Sequence, residues 1–333
     1  MSLLDQYGQD GSILRYYSLA RHALLDALRI IGIRTGDRVL FPRFICRDLL
    51  ASVHMLGAVP LYYDVYEDLS PVDLPVSGGV RAVLTVHYFG FPQNLEPFRE
   101  YCRLSGAVLI EDNAHGFMSR SADGSLLGTS GDFGICSMRK TLLMPNGGML
   151  LINNPAYHQL VVPQVPFGTT SLSMDYRVKH LLSQGQRRTG LPLRAYGQNL
   201  IRLARKLWTG HAIAPVNPGD EFAVPMGAAP HESMIDSVSA MSNCEEVARR
   251  RGLYDTFSRE LTSFGVNPVF SMLHSGVSPY GFPFYADTPT QVALVTKLAR
   301  KRGLDCIHWP DLPREVTIDR SYYEKLWVVN FLC

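Results

Sequence analysis

The first 155 residues alternate short apolar runs with helical patterns, and this rhythm constrains the fold more than any single motif. VLF (39–41), closed by Pro42, VPLYYD (59–64), VRAVLTVH (80–87), AVLIED (107–112), FGICS (133–137) and GMLLIN (148–153) each read as a strand. Between them, SLARHALLDALRII (18–31), CRDLLASVHML (46–56) and NLEPFREYCRLSG (94–106) carry helical spacing. Ser18 is the candidate N-cap of the first helix and Gly32 its stop, while Gly57 ends the second. Strands apolar on both faces that alternate with helices predict an α/β fold, a mainly parallel sheet in an α/β/α sandwich.

After residue 155 the rhythm breaks. From Tyr176 to Gly219 there is no acid but there are eight Lys or Arg residues: 177, 179, 187, 188, 194, 202, 205 and 206. Such a run reads first as a solvated face, and second as a surface for a nucleotide diphosphate or an anionic lipid. A Pro- and Gly-rich linker (214–230) follows, then helical patterns over 233–263, strand-like GFPFYA (281–286), a helix near 289–302 and DCIHWP (305–310). The expected division is a large domain over 1–225 and a smaller C-terminal α+β domain over 226–333.

Bulk properties exclude several classes. A chain of 333 residues, 46% hydrophobic and 19% charged, has ordinary globular composition. A formal charge of +2 is too small for a nucleic-acid partner. No apolar run reaches the ~18 residues of a membrane span, and the N-terminus carries no signal-peptide pattern. The six cysteines, 46, 102, 136, 244, 306 and 333, form no CxxC pair and no His/Cys cluster, so neither a metal site nor a disulfide framework is expected. Reduced thiols in the cytoplasm are the default.

In a parallel sheet, ligands sit at the carboxyl ends of the strands. His87, Asp112, Ser137 and, just beyond, Lys140 fall there. A lysine amine handles a carbonyl by forming an imine, helped by desolvation or a neighbouring cation, and Arg139 is adjacent. A carboxylate such as Asp112 could hold a pyridine nitrogen protonated. Ser137 and the N-terminus of the first helix, beginning near Ser18 with Ala20 and Arg21 in its first turn, could hold a phosphate. Imine lysine, pyridinium carboxylate and phosphate cradle together describe pyridoxal 5′-phosphate (PLP). Each residue also has an ordinary reading: Lys140 a solvated lysine, Asp112 a helix cap, His115 a packing histidine, Ser137 a strand-end hydroxyl, Arg21 a surface residue. His87 and Tyr88 read as structural. Gly147 and Gly148 read as backbone positions allowing close approach behind the lysine.

The stretch VLIEDNAHGFMSR…GTSGDFGICSMRK…NGGMLL resembles the DegT/DnrJ/EryC1/StrS sugar aminotransferases, with Glu111, Asp112, His115, Gly131, Asp132, Ser137, Lys140, Gly147 and Gly148 at the motif positions. IGIRTGDRVLFPRF, GAVPLYYDV and VLTVHYFGFPQNL resemble the family's earlier strand–helix connections, so the likeness runs over roughly residues 15–155. It implies a fold type I PLP enzyme that moves an amino group from a glutamate-like donor to a keto sugar nucleotide. It also implies a homodimer with shared active sites. Lys140 would bind the cofactor covalently and then act as base, Asp112 would face the ring nitrogen, and His115 the phenolic oxygen.

The chain departs from the pattern in several places. Lys140 follows Ser137 by three residues rather than about five. The Ser-Gly-Thr at the first helix is replaced by Leu19, Ala20 and Arg21, where arginine would still serve phosphate. The ring-stacking aromatic position falls at Cys46, with Phe44 two residues before it. The C-terminal half matches loosely. These departures leave open another PLP reaction type (decarboxylase, lyase or acyl condensing enzyme) and a non-catalytic PLP-binding regulatory protein.

Overall fold

Every residue of Val108–Asn113, Phe133–Ser137 and Gly148–Ile152 is buried. Side chains alternate across a strand, so complete burial requires cover on both faces. The computed structural model describes residues 2–9, 11–75, 78–169, 172–189, 191, 193–210, 217–239, 243–318 and 320–332. The first residues of the 214–230 linker and Cys333 lie outside the described residues.

The large sheet has seven strands: β1 (Ile13–Tyr17), β2 (Arg38–Pro42), β3 (Val59–Tyr63), β4 (Val80–Val86), β5 (Val108–Asn113), β6 (Phe133–Ser137) and β7 (Gly148–Ile152). Their order is β1-β7-β6-β5-β4-β2-β3. The neighbours from β6 to β3 pair in parallel, and β7 runs antiparallel to both β6 and β1. Helix Ala20–Ile31 lies on β6 and β7, and helix Glu96–Ser105 on β4 and β5. A second, antiparallel sheet is made by β8 (Gly281–Tyr285), β9 (Asp305–His308) and β10 (Leu326–Asn330), in the order β8-β10-β9. Helix Pro289–Lys301 packs on β9 and β10, and helix Asn243–Thr262 on β8.

Register explains why one edge of the large sheet becomes a site. Val86 pairs with Asp112, and Asp112 with Ile135, so β4, β5 and β6 end level. Gly148 pairs with Ser137 on one side and with Tyr17 on the other. The ends of β6 and β1 therefore meet across the first residue of β7. A Cβ on Gly148 would fall 2.3 Å from the carbonyl carbon of Leu19. Only glycine lets the start of helix Ala20–Ile31 sit this close to the sheet.

Several sequence expectations change here. The cap of the first helix is Leu19, without a side-chain bond. Ser18 instead turns its hydroxyl to the Gly227 carbonyl at 2.7 Å. Gly32 does end that helix, at φ 80°. The run 46–56 is a 3-10 turn (Arg47–Leu50) followed by a short helix (Ala51–His54). The close approach at Gly148 is to Leu19 and Ala20, not behind the lysine; Gly147 is the residue whose carbonyl meets the Arg139 N–H. Strands β1 and β10 were not anticipated, nor were helices Met174–Thr189 and Leu193–Thr209 in the basic stretch.

Candidate active site

One cleft opens at the carboxyl edge of the large sheet. Lys140, Asp112, His115, Ser137, Arg21, Ala20 and Cys46 all line it. Phe44 does not. It is fully buried behind the cleft, its ring 4.7 Å from Tyr323, 5.2 Å from Trp309 and 6.1 Å from Tyr88.

Lys140 lies in the short helix Met138–Thr141 that follows β6 directly. It is half-buried, and its Nζ stands 3.3 Å from His115 Nε2. Burial holds the His115 imidazole well below its ordinary value of 6.5, and the Lys140 charge adds to that shift. His115 is therefore neutral near neutral pH. An ammonium can only donate, so in that form Lys140 gives a hydrogen bond to Nε2 and the imidazole proton sits on Nδ1. The imidazole plane is clamped by stacked rings: Tyr280 at 4.3 Å and Phe89 at 5.6 Å, with Trp309 edge-on at 5.6 Å.

Asp112 is 8% exposed near the end of β5. Burial raises its carboxyl pKa, partly opposed by the Lys140 charge and by the Ala114 N–H, which donates at 2.9 Å. The next strand residue has a different task. Glu111 accepts from the N–H groups of Gly128, Ser130 and Gly131, so it pins the loop that leads into β6. His87 Nδ1 accepts from the Gln93 N–H at 3.0 Å, which puts its proton on Nε2, and Nε2 donates to Glu111 at 2.7 Å. Burial alone would raise the Glu111 carboxyl pKa; the His87 bond and the loop N–H groups together hold it below its ordinary value. His87 is thus structural.

Two arginines also line the cleft. Arg21, second residue of its helix, pairs with the half-exposed Asp48 at 3.4 Å through Nη2, while its Nη1 is buried with no partner. Arg139 Nε is likewise buried without a partner. Burial, opposed in part by Asp48, draws the Arg139 guanidinium below its ordinary range. Leu19 supplies no side-chain cap, and the Ser137 hydroxyl makes no capping bond to the short helix it precedes. Cys46 is a neutral thiol: burial pushes it up to about 12.

Two buried guanidinium nitrogens without a partner, Arg21 Nη1 and Arg139 Nε, beside an uncapped helix start held close by a glycine, fit a phosphate group. A buried carboxylate lining the same cleft, Asp112, fits a basic ring nitrogen. The residues present therefore fit PLP. Sequence reasoning missed Trp309, Tyr280 and Asp48. Trp309 and Tyr280 arrive from the C-terminal third, far along the chain, and no local pattern marks them. Asp48 had a signal, as an acid two residues after Cys46 in the 3-10 turn that follows β2.

A mainly parallel sheet with a lysine, a buried carboxylate and an anion cradle at its carboxyl edge defines the fold type I class of PLP-dependent transferases. The fold is shared with the crystal structure of the aminotransferase TlmJ from Streptoalloteichus hindustanus: TM-score 0.62 and 19% identity, over 95% of this chain and 80% of that one. The sequence model of the DegT/DnrJ/EryC1/StrS aminotransferase family matches residues 17–187, and the chain belongs to that family. Its members work with PLP. Protein MosB of Rhizobium meliloti is 28% identical over 172 residues, 49% of this chain and 33% of that protein. GDP-perosamine synthase of Escherichia coli O157:H7 is 29% identical over 139 residues, 40% of this chain and 38% of that protein. The match thus spans well under half the length of either relative.

Proposed function

We propose that the protein is a PLP-dependent aminotransferase moving an amino group from a glutamate-like donor to a keto sugar nucleotide. The observation that carries this reading is the convergence of Lys140, Asp112 and His115 with the Arg21–Ser137 cradle on one cleft. The acceptor class is supported by relatives such as the GDP-perosamine synthase and a dTDP-4-dehydro-2,3,6-trideoxy-D-glucose 4-aminotransferase of Saccharopolyspora spinosa.

When bound, PLP supplies an electron sink for a carbanion next to the donor nitrogen. The protein's residues do the rest. Arg21, Ser137 and the Ala20 end of the helix hold the phosphate by charge-assisted bonds. The Asp112 carboxylate keeps a proton on the ring nitrogen. His115 would face the phenolic oxygen, its plane fixed by Tyr280 and Phe89. Lys140 Nζ would hold the cofactor at its aldehyde carbon, and as a free amine it would move a proton between two carbons as general base. Trp309 and Tyr280 exclude water from that side.

Three further parts belong to this reading. The chain divides into a PLP-binding domain over 1–225 and a small domain over 226–333, supported by the two separate sheets. It works as a homodimer with shared sites. It resides in the cytoplasm, supported by free thiols at the five described cysteines; among the described residues no helix is long and apolar enough to cross a membrane.

The test is a single turnover without acceptor. PLP-loaded protein given L-glutamate should release 2-oxoglutarate in proportion to sites, while the amino group stays with the protein until a keto sugar nucleotide is added. Release of carbon dioxide instead would assign a decarboxylase, and no product at all would assign a binding protein.

A further inference from the structure

None of the described residues of the basic stretch lines the cleft, yet the stretch folds into two helices with an unusual surface. Helix Leu193–Thr209 carries Tyr196, Leu200, Leu203 and Leu207 at 66%, 66%, 55% and 77% exposure. Their spacing of four, three and four residues places them in one stripe along the helix. Gly197 is on a different face, packed against Leu182 of the preceding helix, where an added Cβ would meet Leu182 Cδ1 at 2.3 Å. The stripe is thus not the seam of the helical hairpin. Trp208, next to its end, is 95% exposed.

The charges around the stripe have one sign. No acid occurs from Tyr176 to Gly219, against eight Lys or Arg residues. Beside Tyr196 a groove opens toward helix Pro289–Lys301, whose exposed Lys297, Arg300 and Lys301 line its other wall. At this surface Arg202 pairs with Asp305.

We propose that this face docks on an anionic lipid bilayer surface, with helix Leu193–Thr209 lying in the interface plane. Leucines in a row with a tyrosine and a tryptophan toward the two ends, edged by Lys and Arg, form the pattern of an interfacial amphipathic helix. Positive residues meet anionic headgroups while the stripe enters the acyl boundary. A second copy of the chain fits less well. A two-fold interface sets a patch against itself, and this patch would oppose cation to cation. A nucleic acid would use the charges and leave the leucine stripe in water.

The experiment is co-sedimentation of the PLP-loaded full chain with vesicles of phosphatidylcholine alone and of phosphatidylcholine containing phosphatidylglycerol. The expected result is binding to the anionic vesicles, weaker by tenfold or more on neutral ones and weakened by salt. The pair Leu200→Glu and Leu207→Glu should lower binding to anionic vesicles by roughly tenfold or more, as charge placed in the stripe opposes insertion. Both sites are exposed, so PLP titration should be unchanged and shows the variant is folded. Three outcomes would overturn the proposal: no binding to anionic vesicles, binding that survives the double substitution, or a wild-type dimer that the substitution converts to monomer. The last would assign the stripe to a second copy of the chain.

Discussion

Asp112 tests the chemistry at the scale of one side chain. Asparagine has the same shape but no charge to hold a ring proton. Asp112→Asn should still bind PLP, through the phosphate contacts, while turnover falls by orders of magnitude. Steady-state rates beside a PLP titration check this, and near-normal turnover would reduce Asp112 to a cap for Ala114. Arg21 tests the cradle. A charge-assisted bond is worth ~1.5–3 kcal/mol, so Arg21→Ala should weaken PLP affinity by roughly ten- to a hundredfold. Arg21→Lys should recover only part, since a point charge lacks the fork. If absorbance titration finds the same dissociation constant, Arg139 becomes the phosphate ligand. His115 predicts a pH effect. Its folded pKa lies below the unfolded value of 6.5, so the unfolded chain takes up more protons as pH falls through 6.5. Stability of the apoprotein should therefore be level above that pH and decline below it. His22, also lowered by burial, contributes in the same direction. His115→Asn should flatten, without abolishing, the fall in Tm between neutral and mildly acidic pH. Lys140, Asp112, His115 and Ser137 were legible because each ends or follows an apolar strand, where topology alone sends side chains to one edge. Tyr280 and Trp309 were not, because what brings them there is the packing of a sheet formed over a hundred residues later.

Among the elements, β7 carries the most consequence per residue. Its first position lies between the ends of β1 and β6 and under the helix start, so its side chain must be absent. Gly148→Ala would drive a methyl into the Leu19 carbonyl, which is backbone and has little room to move. Overpacking of this kind costs roughly 1–3 kcal/mol, and it displaces the Ala20–Arg21 end of the cradle. We expect a lower Tm together with weaker PLP binding; calorimetry with and without PLP separates the two effects. The first helix followed from spacing up to its stop at Gly32, whereas the run stopped at Gly57 folds as a 3-10 turn and a four-residue helix. The cap at Leu19 defied propensity, because Ser18 is drawn to the Gly227 carbonyl and to His22. LWVVN of β10 is only five residues long and follows the charged pair Glu324 and Lys325, so only pairing with β8 and β9 declares it a strand.

The whole molecule is joined at Trp309. Its ring touches Phe44, Tyr88, Phe89 and His115, all from the large-sheet part, although it follows β9 of the small sheet. Trp309→Ala should cost about 3–5 kcal/mol of stability. It should also loosen the clamp on His115, read as faster hydrogen exchange both near Phe89 and along β9. Loss confined to β9 would mean the two parts are only loosely coupled. The α/β/α layering was legible because doubly apolar strands have few alternatives; the meeting of the two parts at one ring cluster was not, since sequence separation hides it.

The central claim is that Lys140 is the residue that captures PLP. Borohydride reduction of the PLP-loaded protein, followed by peptide mapping, tests it most directly. The account predicts a stable label on the peptide carrying Lys140 and its loss in Lys140→Ala, which should still retain PLP non-covalently. A label on any other lysine, or none at all in a protein that binds PLP, would contradict it.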